Sequence, residues 1–283
     1  MKLCRIGPPA EERPACIIEP GVVVDLGAQV RDFDRGFFAE GGLDQLSALA
    51  DGSPRRVLRD DERVGPPIAT PSKIVCIGLN YADHAAEAGL PVPDEPAVFT
   101  KSPSSLSGPN DPITKPAGST KLDWEVELGI VVGRQIRAGS DVSNPLAQVA
   151  GYVLSQDVSE RSYQHQRGGQ WMKGKSYDTF NPLGPWLMTS DEVEDPGELR
   201  LRLSVNDALM QDGTTAEMIF DVEYILAYLA QFMTLEPGDL INTGTPAGVG
   251  AGRQPARFLD VGDRVVATIE PGFGEQHCEI VAS

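Results

Sequence analysis

The sequence has little of what disulfide-rich, secreted or membrane-spanning proteins need. Its cysteines are Cys4, Cys16, Cys76 and Cys278, with no CxxC pair among them. In a chain of 283 residues this scatter favours buried, reduced thiols over a disulfide framework. No apolar run approaches the ~20 residues of a membrane-spanning helix, and the first residues lack the apolar segment of a secretory signal. We therefore expect a cytoplasmic protein.

Basic residues are also scarce, because 24 Lys and Arg stand against 41 Asp and Glu, a formal net charge of −17. Nucleic acids and anionic membranes bind to basic surfaces, so neither is expected as a partner. A local basic pocket remains compatible with that average. The composition is otherwise that of a globular protein, with 41% hydrophobic and 23% charged residues. The 30 glycines and 23 prolines predict many turns between short strands.

Histidine is rare as well, and nucleotide-binding motifs are missing. The sequence contains only His84, His165 and His277. The glycine-rich segments 168–180 and 242–250 hold neither a GxGxxG that opens a helix nor a GK[ST] loop, which excludes the Rossmann and Walker sites. We interpret them as loops that bring Lys175 and Thr245 to a ligand, with ordinary turns as the alternative. His277 lies in a charged strand near the C-terminus and is expected at the surface.

The proline-rich segment 64–73 divides the chain. It predicts a small N-terminal α+β domain (residues 1–70) and a larger catalytic domain (residues 71–283). Hydrophobic patterning favours a sheet-dominated α+β fold over alternating βαβ units. Strands are predicted at residues 1–6, 21–26, 73–79, 97–101, 125–132, 150–156, 199–205, 240–243 and 265–270. Helices are predicted at 43–51, at 80–89 and, after the N-cap Asp221, up to Met233.

Two acidic residues, Glu125 and Glu127, lie two positions apart on an apparent strand, so both carboxylates share one face. A solvated strand face is the commoner explanation of such a pair. If that face is buried, however, the two charges need a counter-charge, and a divalent cation would supply it. Asp157 ends the strand at 150–156. Should it meet the pair, three carboxylates would suit Mg²⁺ or Mn²⁺, and Ca²⁺ less well.

His84 and Glu87 are three residues apart in the predicted helix and would share one of its faces. A glutamate can orient a histidine and raise its basicity, which makes a general base able to activate water. A surface pair of the same spacing is the alternative interpretation.

Taken together, these segments resemble the fumarylacetoacetate hydrolase family. The matching segments stand in the family's order and cover nearly all of residues 73–252: IGLNYADHAAE, FTKSPSSL, LDWEVELGIVVG, QDVSERSYQ, GGQWMKGKSYDTFNPLGPW and MTLEPGDLINTGTPAGVG. The resemblance implies a β-sandwich roll as the catalytic domain, a homodimer or larger homo-oligomer, and Mg²⁺ or Mn²⁺ in the site.

The resemblance also implies a role for individual residues. The implied metal ligands are Glu125, Glu127 and Asp157. The implied catalytic residues are His84, Glu87 and Lys175, and the implied substrate-binding residues are Lys101, Arg161, Gln164 and Thr245. The sequence departs from the commoner DVSARDxQ pattern of the family, with Glu160 in place of alanine and Ser162 in place of aspartate.

By this resemblance the protein is expected to be a hydrolase acting on carbon–carbon bonds in ketonic substances. It would cleave a small anionic 2,4-diketo acid of the acylpyruvate type to pyruvate and a carboxylic acid. A 2,4-diketo-3-deoxy sugar acid, such as diketo-deoxyrhamnonate or -fuconate, is the favoured substrate. Two alternatives stay open: an enol–keto isomerase or decarboxylase of a dienedioate or oxaloacetate-like acid, and an inactive metal-stabilised binding protein. The His84–Glu87 pair favours hydrolysis.

Overall fold

Short strands and turns account for most of the regular structure. A computed structural model describes the whole chain, residues 1–283. The helices are α1 (Arg35–Ala39), α2 (Gly42–Asp51), α3 (Ala82–Glu87), α4 (Arg161–Gln166), α5 (Met172–Lys175) and α6 (Val222–Leu229). None of them is long and apolar enough to cross a membrane.

The strands cover the predicted segments and several others. They are β1 (Lys2–Ile6), β2 (Arg13–Glu19), β3 (Val22–Asp25), β4 (Arg55–Val57), β5 (Val64–Gly65), β6 (Ile74–Gly78), β7 (Ala97–Lys101), β8 (Leu106–Ser107), β9 (Ile113–Lys115), β10 (Leu122–Asp123), β11 (Val126–Val132), β12 (Val149–Gln156), β13 (Ser159–Glu160), β14 (Asn181–Thr189), β15 (Arg200–Val205), β16 (Ala208–Thr214), β17 (Leu240–Asn242), β18 (Arg264–Glu270) and β19 (Glu275–Ala282).

The larger sheet includes strands from both sides of the predicted domain boundary. Its order is β4-β3-β2-β1-β14-β12-β11-β17-β6-β7. The two parts join at the antiparallel pair β1 and β14, where Leu3 lies opposite Leu187. One buried cluster likewise contains Val24 from the N-terminal part and Leu240 from the C-terminal part. The boundary predicted at residue 70 therefore does not separate two hydrophobic cores, because sheet and core both continue across it.

A second sheet, with the order β16-β15-β18-β19-β9, packs against one face of the larger one. Alternate residues of β15 are buried, and Leu201 and Leu203 belong to the same core cluster as Leu128 and Ile130 of β11. This alternation is the pattern of a strand with one face in the core. The two packed sheets confirm the predicted sheet-dominated α+β fold and its sandwich-like catalytic part.

Helix α6 begins as predicted and ends earlier. The Asp221 side chain accepts a hydrogen bond from the Tyr224 N–H at 2.7 Å, so it caps the helix. The predicted helix continued to Met233, but the structure ends it at Leu229. Beyond that point the Phe232 N–H bonds the carbonyl of Leu229, three residues back. The chain tightens there into a turn, which hydrophobic spacing alone does not distinguish from continued helix.

Strand β14 was not predicted, because its sequence NPLGPWLMT contains two prolines. It nevertheless lies inside the larger sheet, between β1 and β12. The register with β12 shifts between Val153 and Ser155, which pair with Leu187 and Leu183. Pro185 lies within this irregularity, where the ladder requires no N–H donor from it. A proline pattern that argues against a strand is thus accommodated by a bulge.

Candidate active site

Strand β11 and the residue just before it carry the acidic pair into the interior of the protein. It lies between β12 and β17, so both of its edges are paired. Trp124, Val126 and Leu128 point into the core between the sheets. Glu125 and Glu127 point to the other side, yet they are only 5% and 1% exposed. The alternative of a solvated strand face is therefore excluded.

Asp157 meets this pair because it follows β12, the antiparallel neighbour of β11. Val126 pairs with Gln156, and the Asp157 N–H donates to the Glu125 carbonyl oxygen at 3.0 Å. One carboxylate oxygen from each of Glu125, Glu127 and Asp157 then lies within 4.8 Å of the other two. Three buried carboxylates form one cluster, which we call the carboxylate cluster.

Two cations of the chain neutralise part of this cluster. Lys175, at the end of α5, places its Nζ 2.8 Å from Glu125 Oε2 and 2.6 Å from Asp157 Oδ2. Arg161 Nη1 lies 2.7 Å from Glu125 Oε1. Burial by itself would raise the pKa of Glu125, but the charges of Lys175 and Arg161 outweigh it and hold that pKa well below its usual range. Glu125 is therefore ionised at neutral pH.

Glu127 has no such partner. Its Oε2 accepts a hydrogen bond from the Gly244 N–H at 2.9 Å, and no Lys or Arg forms an ion pair with it. Burial, followed by the charges of Asp157 and Glu125, raises the pKa of Glu127 well above its ordinary value. An ionised Glu127 therefore needs positive charge beyond what Lys175 supplies. An all-oxygen donor set of this kind fits a hard divalent cation such as Mg²⁺ or Mn²⁺.

Lys101 lies on the far side of Asp157 and does not line the cavity. Its fully buried ammonium donates to Asp157 Oδ1 and, at 2.8 Å, to the Phe180 carbonyl oxygen. Substrate contact was expected at this residue, but the structure puts Asp157 between it and the cavity. Lys101 instead bonds Asp157 Oδ1 on the side away from the cavity, while Lys175 bonds Asp157 Oδ2 on the side of the cavity.

Helix α4 presents a guanidinium to the cavity. Arg161 Nε donates to Asp123 Oδ2 at 2.8 Å, and Nη1 donates to Gln164 Oε1 at 3.1 Å. Its Nη2 is buried and has no hydrogen-bond partner in the chain. A buried donor without a partner costs about 1–3 kcal/mol. Arg161 Nη2 is therefore suited to an oxygen atom of a bound ligand.

Thr245 follows β17 and also reaches the cavity. Its hydroxyl donates to the Val126 carbonyl oxygen at 2.9 Å and accepts from Gln211 Nε2 at 2.7 Å. Because the hydroxyl proton is engaged by the chain, Thr245 can offer a ligand only its remaining lone pair or its backbone.

The His84–Glu87 pair lies on α3, at the edge of the same cavity. His84 Nδ1 is 3.3 Å from Glu87 Oε2, and Glu87 accepts the Gly248 N–H at 3.0 Å. Gly252 packs so closely here that a Cβ would lie 2.1 Å from Glu87 Cγ. Glu87 is thus fixed by its neighbours, and the histidine nitrogen that faces away from it, Nε2, is left for chemistry.

These side chains surround one cavity of about 320 Å³. Apart from Lys101, all the residues that the sequence predicted for the site line it: His84, Glu87, Glu125, Glu127, Asp157, Arg161, Gln164, Lys175 and Thr245. Carboxylates and cations therefore share one pocket with a candidate base. The anion-binding groups stand inside a protein whose net charge is −17.

Sequence reasoning missed other residues of this region. Asp123 is fully buried, and besides Arg161 it binds the N–H groups of Gly250 and Ala251 at 2.6 and 3.0 Å. Asp123 is the first acidic residue of the run DWEVE, and this run was the signal in the sequence that could have indicated its role. The wall of the cavity also contains an unpredicted histidine and two aromatic rings, His165, Phe99 and Trp171.

Glu160 and Ser162, the two departures from the common family pattern, lie outside the cavity. Glu160 is fully buried and caps α4, where its Oε1 accepts from the Ser162 N–H at 3.1 Å. Its other oxygen accepts from the Ser119 hydroxyl and, at 3.2 Å, from the Lys121 N–H. The two residues bond each other and position the start of the helix that carries Arg161.

The model of the fumarylacetoacetate (FAA) hydrolase C-terminal region matches residues 73–281. The chain belongs to the fumarylacetoacetate hydrolase family. One relative is a Burkholderia multivorans protein named only as a hydrolase. It is 50% identical to this chain over 277 residues, which are 98% of this chain and 97% of the relative.

Solved structures of the family share the whole fold. A fumarylacetoacetate hydrolase from Exiguobacterium antarcticum has a TM-score of 0.85 at 36% identity, with 100% of both chains covered. A maleylpyruvate hydrolase from Sphingobium sp. SYK-6, solved with manganese(II) and pyruvate, has a TM-score of 0.81 at 30% identity, again with 100% of both covered. A 2-hydroxyhepta-2,4-diene-1,7-dioate isomerase from Mycobacterium marinum has a TM-score of 0.77 at 34% identity and covers 100% and 99%. Hydrolases and isomerases thus both occur among the neighbours.

Proposed function

We propose that the protein is a divalent-metal-dependent hydrolase that cleaves the carbon–carbon bond of a 2,4-diketo acid, giving pyruvate and a carboxylic acid. The observation that carries this proposal is the His84–Glu87 pair in the same cavity as the carboxylate cluster. Substrates of this class are anions with adjacent carboxylate and oxo oxygens. They need positive charge and hydrogen-bond donors at one end and a base at the other.

The donors for the 2-oxo acid end are present in the cavity. Arg161 Nη2 has no partner in the chain and is assigned to the substrate carboxylate, with Gln164 beside it. Lys175 adds a positive charge next to the oxo group. Glu125, Glu127 and Asp157 would hold Mg²⁺ or Mn²⁺, which supplies Lewis-acid stabilisation of negative charge when bound.

His84 is assigned the proton transfers. With Nδ1–H donated to Glu87, Nε2 accepts a proton from a water molecule as the water oxygen adds to the C4 carbonyl carbon. The C3–C4 bond then breaks, its electron pair passes to C3 as an enolate, and C4 leaves as the carboxylic acid. The proton returns from His84 to C3, which gives pyruvate. Positioned general bases contribute typically 10²–10⁴-fold to such rates.

The first experiment follows the enol absorbance of acylpyruvates with and without EDTA, and identifies the products by mass spectrometry. Pyruvate formation that requires a divalent cation supports the proposal. Isomerised products would favour the alternative activity that the Mycobacterium marinum isomerase suggests, and decarboxylated products would favour a decarboxylase. No metal-dependent change across the substrate panel would favour a binding protein without activity. Including 2,4-diketo-3-deoxy sugar acids, among them the rhamnonate and fuconate forms, tests the favoured substrate.

Two variants separate metal binding from base catalysis. His84→Ala is expected to abolish turnover while leaving cation binding intact, because its imidazole bonds Glu87 and none of the three carboxylates. Glu125→Ala is expected to abolish both. A His84→Ala protein with near-normal kcat would show that the base is wrongly assigned.

The predicted homo-oligomer remains a proposal, and light scattering would measure the oligomeric state.

A further inference from the structure

The cavity contains one titratable side chain that the proposed reaction does not use, His165. It follows Gln164 on α4, but Gln164 is buried and His165 is exposed at the mouth of the cavity. Neither of its ring nitrogens has a hydrogen-bond partner in the chain, and its ring packs edge-on against Trp171. Its polar atoms are thus available to a ligand.

His165 ends a row of rings that starts at the carboxylate cluster. Lys175 Nζ, which bonds Glu125 and Asp157, lies 5.2 Å from the centre of the Phe99 ring. Phe99 contacts Trp171 edge-to-face at 5.3 Å, and Trp171 contacts His165 at 6.1 Å. The row therefore leads from the reacting end of the cavity to its mouth.

Trp171, the central ring of this row, is held by close packing. At Gly78, in β6, a Cβ would lie 2.6 Å from Trp171 Cζ3, so the indole packs directly on the strand backbone. Such close packing leaves Trp171 little freedom to move away from the cavity. A ligand chain that leaves the carboxylate cluster in this direction would lie against these rings and then reach an imidazole.

The charge state of that imidazole limits what it can recognise. Although its ring reaches solvent, partial burial, followed by the nearby charges of Arg161 and Lys175, lowers the pKa of His165. At neutral pH the ring is therefore uncharged, with one N–H donor and one acceptor nitrogen. A neutral donor–acceptor pair suits a hydroxyl group, which can both donate and accept, whereas an alkyl end offers it neither a donor nor an acceptor.

We infer that Phe99, Trp171 and His165 form a distal subsite that selects 2,4-diketo acids with a hydroxylated acyl chain. The aromatic faces contact the carbons of that chain, and His165 hydrogen-bonds a hydroxyl group on it. The inference rests on the proposed function, since it takes the diketo end to lie at the carboxylate cluster. It makes His165 a specificity-determining residue that takes no part in the bond cleavage.

The test uses two synthetic 2,4-diketo acids of equal chain length, one ending in an alkyl group and one in a hydroxyl group, with acetylpyruvate as the substrate without a chain. For His165→Leu we expect kcat/KM to fall about 3- to 10-fold for the hydroxylated acid, the effect of one neutral hydrogen bond. The values for the alkyl acid and acetylpyruvate should change less than about twofold. His165→Gln, which keeps a donor and an acceptor, should restore most of the loss.

The matched control is His277→Leu, since His277 is 58% exposed and bonds Glu275 far from the cavity. This substitution should leave kcat/KM unchanged for all three substrates. Equal losses for all three substrates in His165→Leu, or no loss for the hydroxylated acid, would overturn the inference, because His165 would then be structural or irrelevant.

A binding measurement keeps this test independent of turnover. Calorimetry in excess Mg²⁺ compares the two acids on His84→Ala and on His84→Ala/His165→Leu. If the wild-type protein hydrolyses neither acid, the hydrolase proposal fails. A preference for the hydroxylated acid that disappears in the double variant would still support the subsite. The absence of any preference, or of any binding, would refute it.

Discussion

Replacing Glu127 with glutamine should change stability in opposite directions with and without a divalent cation. Glu127 is 1% exposed and has no cationic side-chain partner, so it is the carboxylate of the cluster whose charge the chain itself compensates least. Glutamine keeps the size and an acceptor oxygen for the Gly244 N–H, but it carries no charge. The substitution therefore isolates the charge of Glu127 from its packing.

Without a cation, the sign follows from the raised pKa of Glu127. Between the ordinary glutamate value of about 4.3 and the raised one, the folded protein keeps a proton that the unfolded chain has released. Stability therefore falls as the pH rises through this interval. Each pKa unit corresponds to about 1.4 kcal/mol. We expect cation-free Glu127→Gln to melt above the wild type near pH 8, and this gap should close near pH 4.

With a cation, the order should reverse. A ligand at 100 times its dissociation constant stabilises the folded state by about 2.7 kcal/mol. For a chain of roughly this size, 1 kcal/mol shifts Tm by about 2–4 °C, so the wild type should gain about 5–10 °C. Glu127→Gln lacks one of the three ligands, and we expect a gain below about 2 °C at the same concentration.

The assay is thermal unfolding followed by circular dichroism, in EDTA and in excess Mg²⁺ or Mn²⁺, at several pH values. Glu279→Gln is the matched control, because Glu279 is an exposed glutamate on β19, and it should behave as the wild type. An equal cation-induced shift in wild type and Glu127→Gln would refute the metal site at this cluster. A cation-free variant less stable than the wild type near pH 8 would refute the assigned cost of ionising Glu127.

Three further predictions concern side chains around the cluster. Arg161→Lys removes the unpaired Nη2, so KM for a 2,4-diketo acid should rise about 10- to 100-fold; an unchanged KM in steady-state kinetics would contradict the assigned carboxylate contact. Gly252→Ala places a Cβ against Glu87 and should lower kcat about 10-fold or more while cation affinity, measured by calorimetry, stays within twofold; a parallel loss of both would count against a separate base. Glu160→Ala removes the cap of α4 and should lower the free energy of unfolding by about 1–3 kcal/mol in urea, and an unchanged urea midpoint would argue against this capping role.

Much of the fold could be predicted locally. Strand β7 coincides with the predicted residues 97–101. Strand β15 begins one residue later than the predicted segment 199–205 and ends at the same residue. Asn206 and Asp207, which follow β15, both adopt positive φ, a backbone conformation that these two residue types favour in hairpin turns. These elements could be predicted because alternation and turn residues are properties of a few neighbouring positions.

The elements that were missed depend on distant partners. Strand β14 reads as a proline-rich loop, and it forms a strand because β1 and β12 flank it and a bulge absorbs Pro185. The continuity of the sheet across residue 70 has the same origin. A composition break at prolines marks a change along the chain, but it does not reveal which strands pair across it.

The sequence by itself determined which chemical groups are available. Two glutamates on one strand face, an aspartate at a strand end and a histidine three residues before a glutamate are local facts, and periodicity is enough to read them. A glycine-rich loop added Lys175, and the family resemblance extended this set to Arg161 and Gln164.

Only the tertiary structure decided what those groups can do. The same spacing of Glu125 and Glu127 would describe a solvated face if Lys175, Arg161 and the Gly244 backbone did not pack on that face of the strand. Burial makes the ionised form of both residues costly. The positive charges of Lys175 and Arg161 compensate the charge of Glu125, but the charge of Glu127 is left uncompensated. The position of Lys101 behind Asp157 was decided in the same way. Burial and charge compensation arise from residues far apart in the chain, and local spacing contains no information about them.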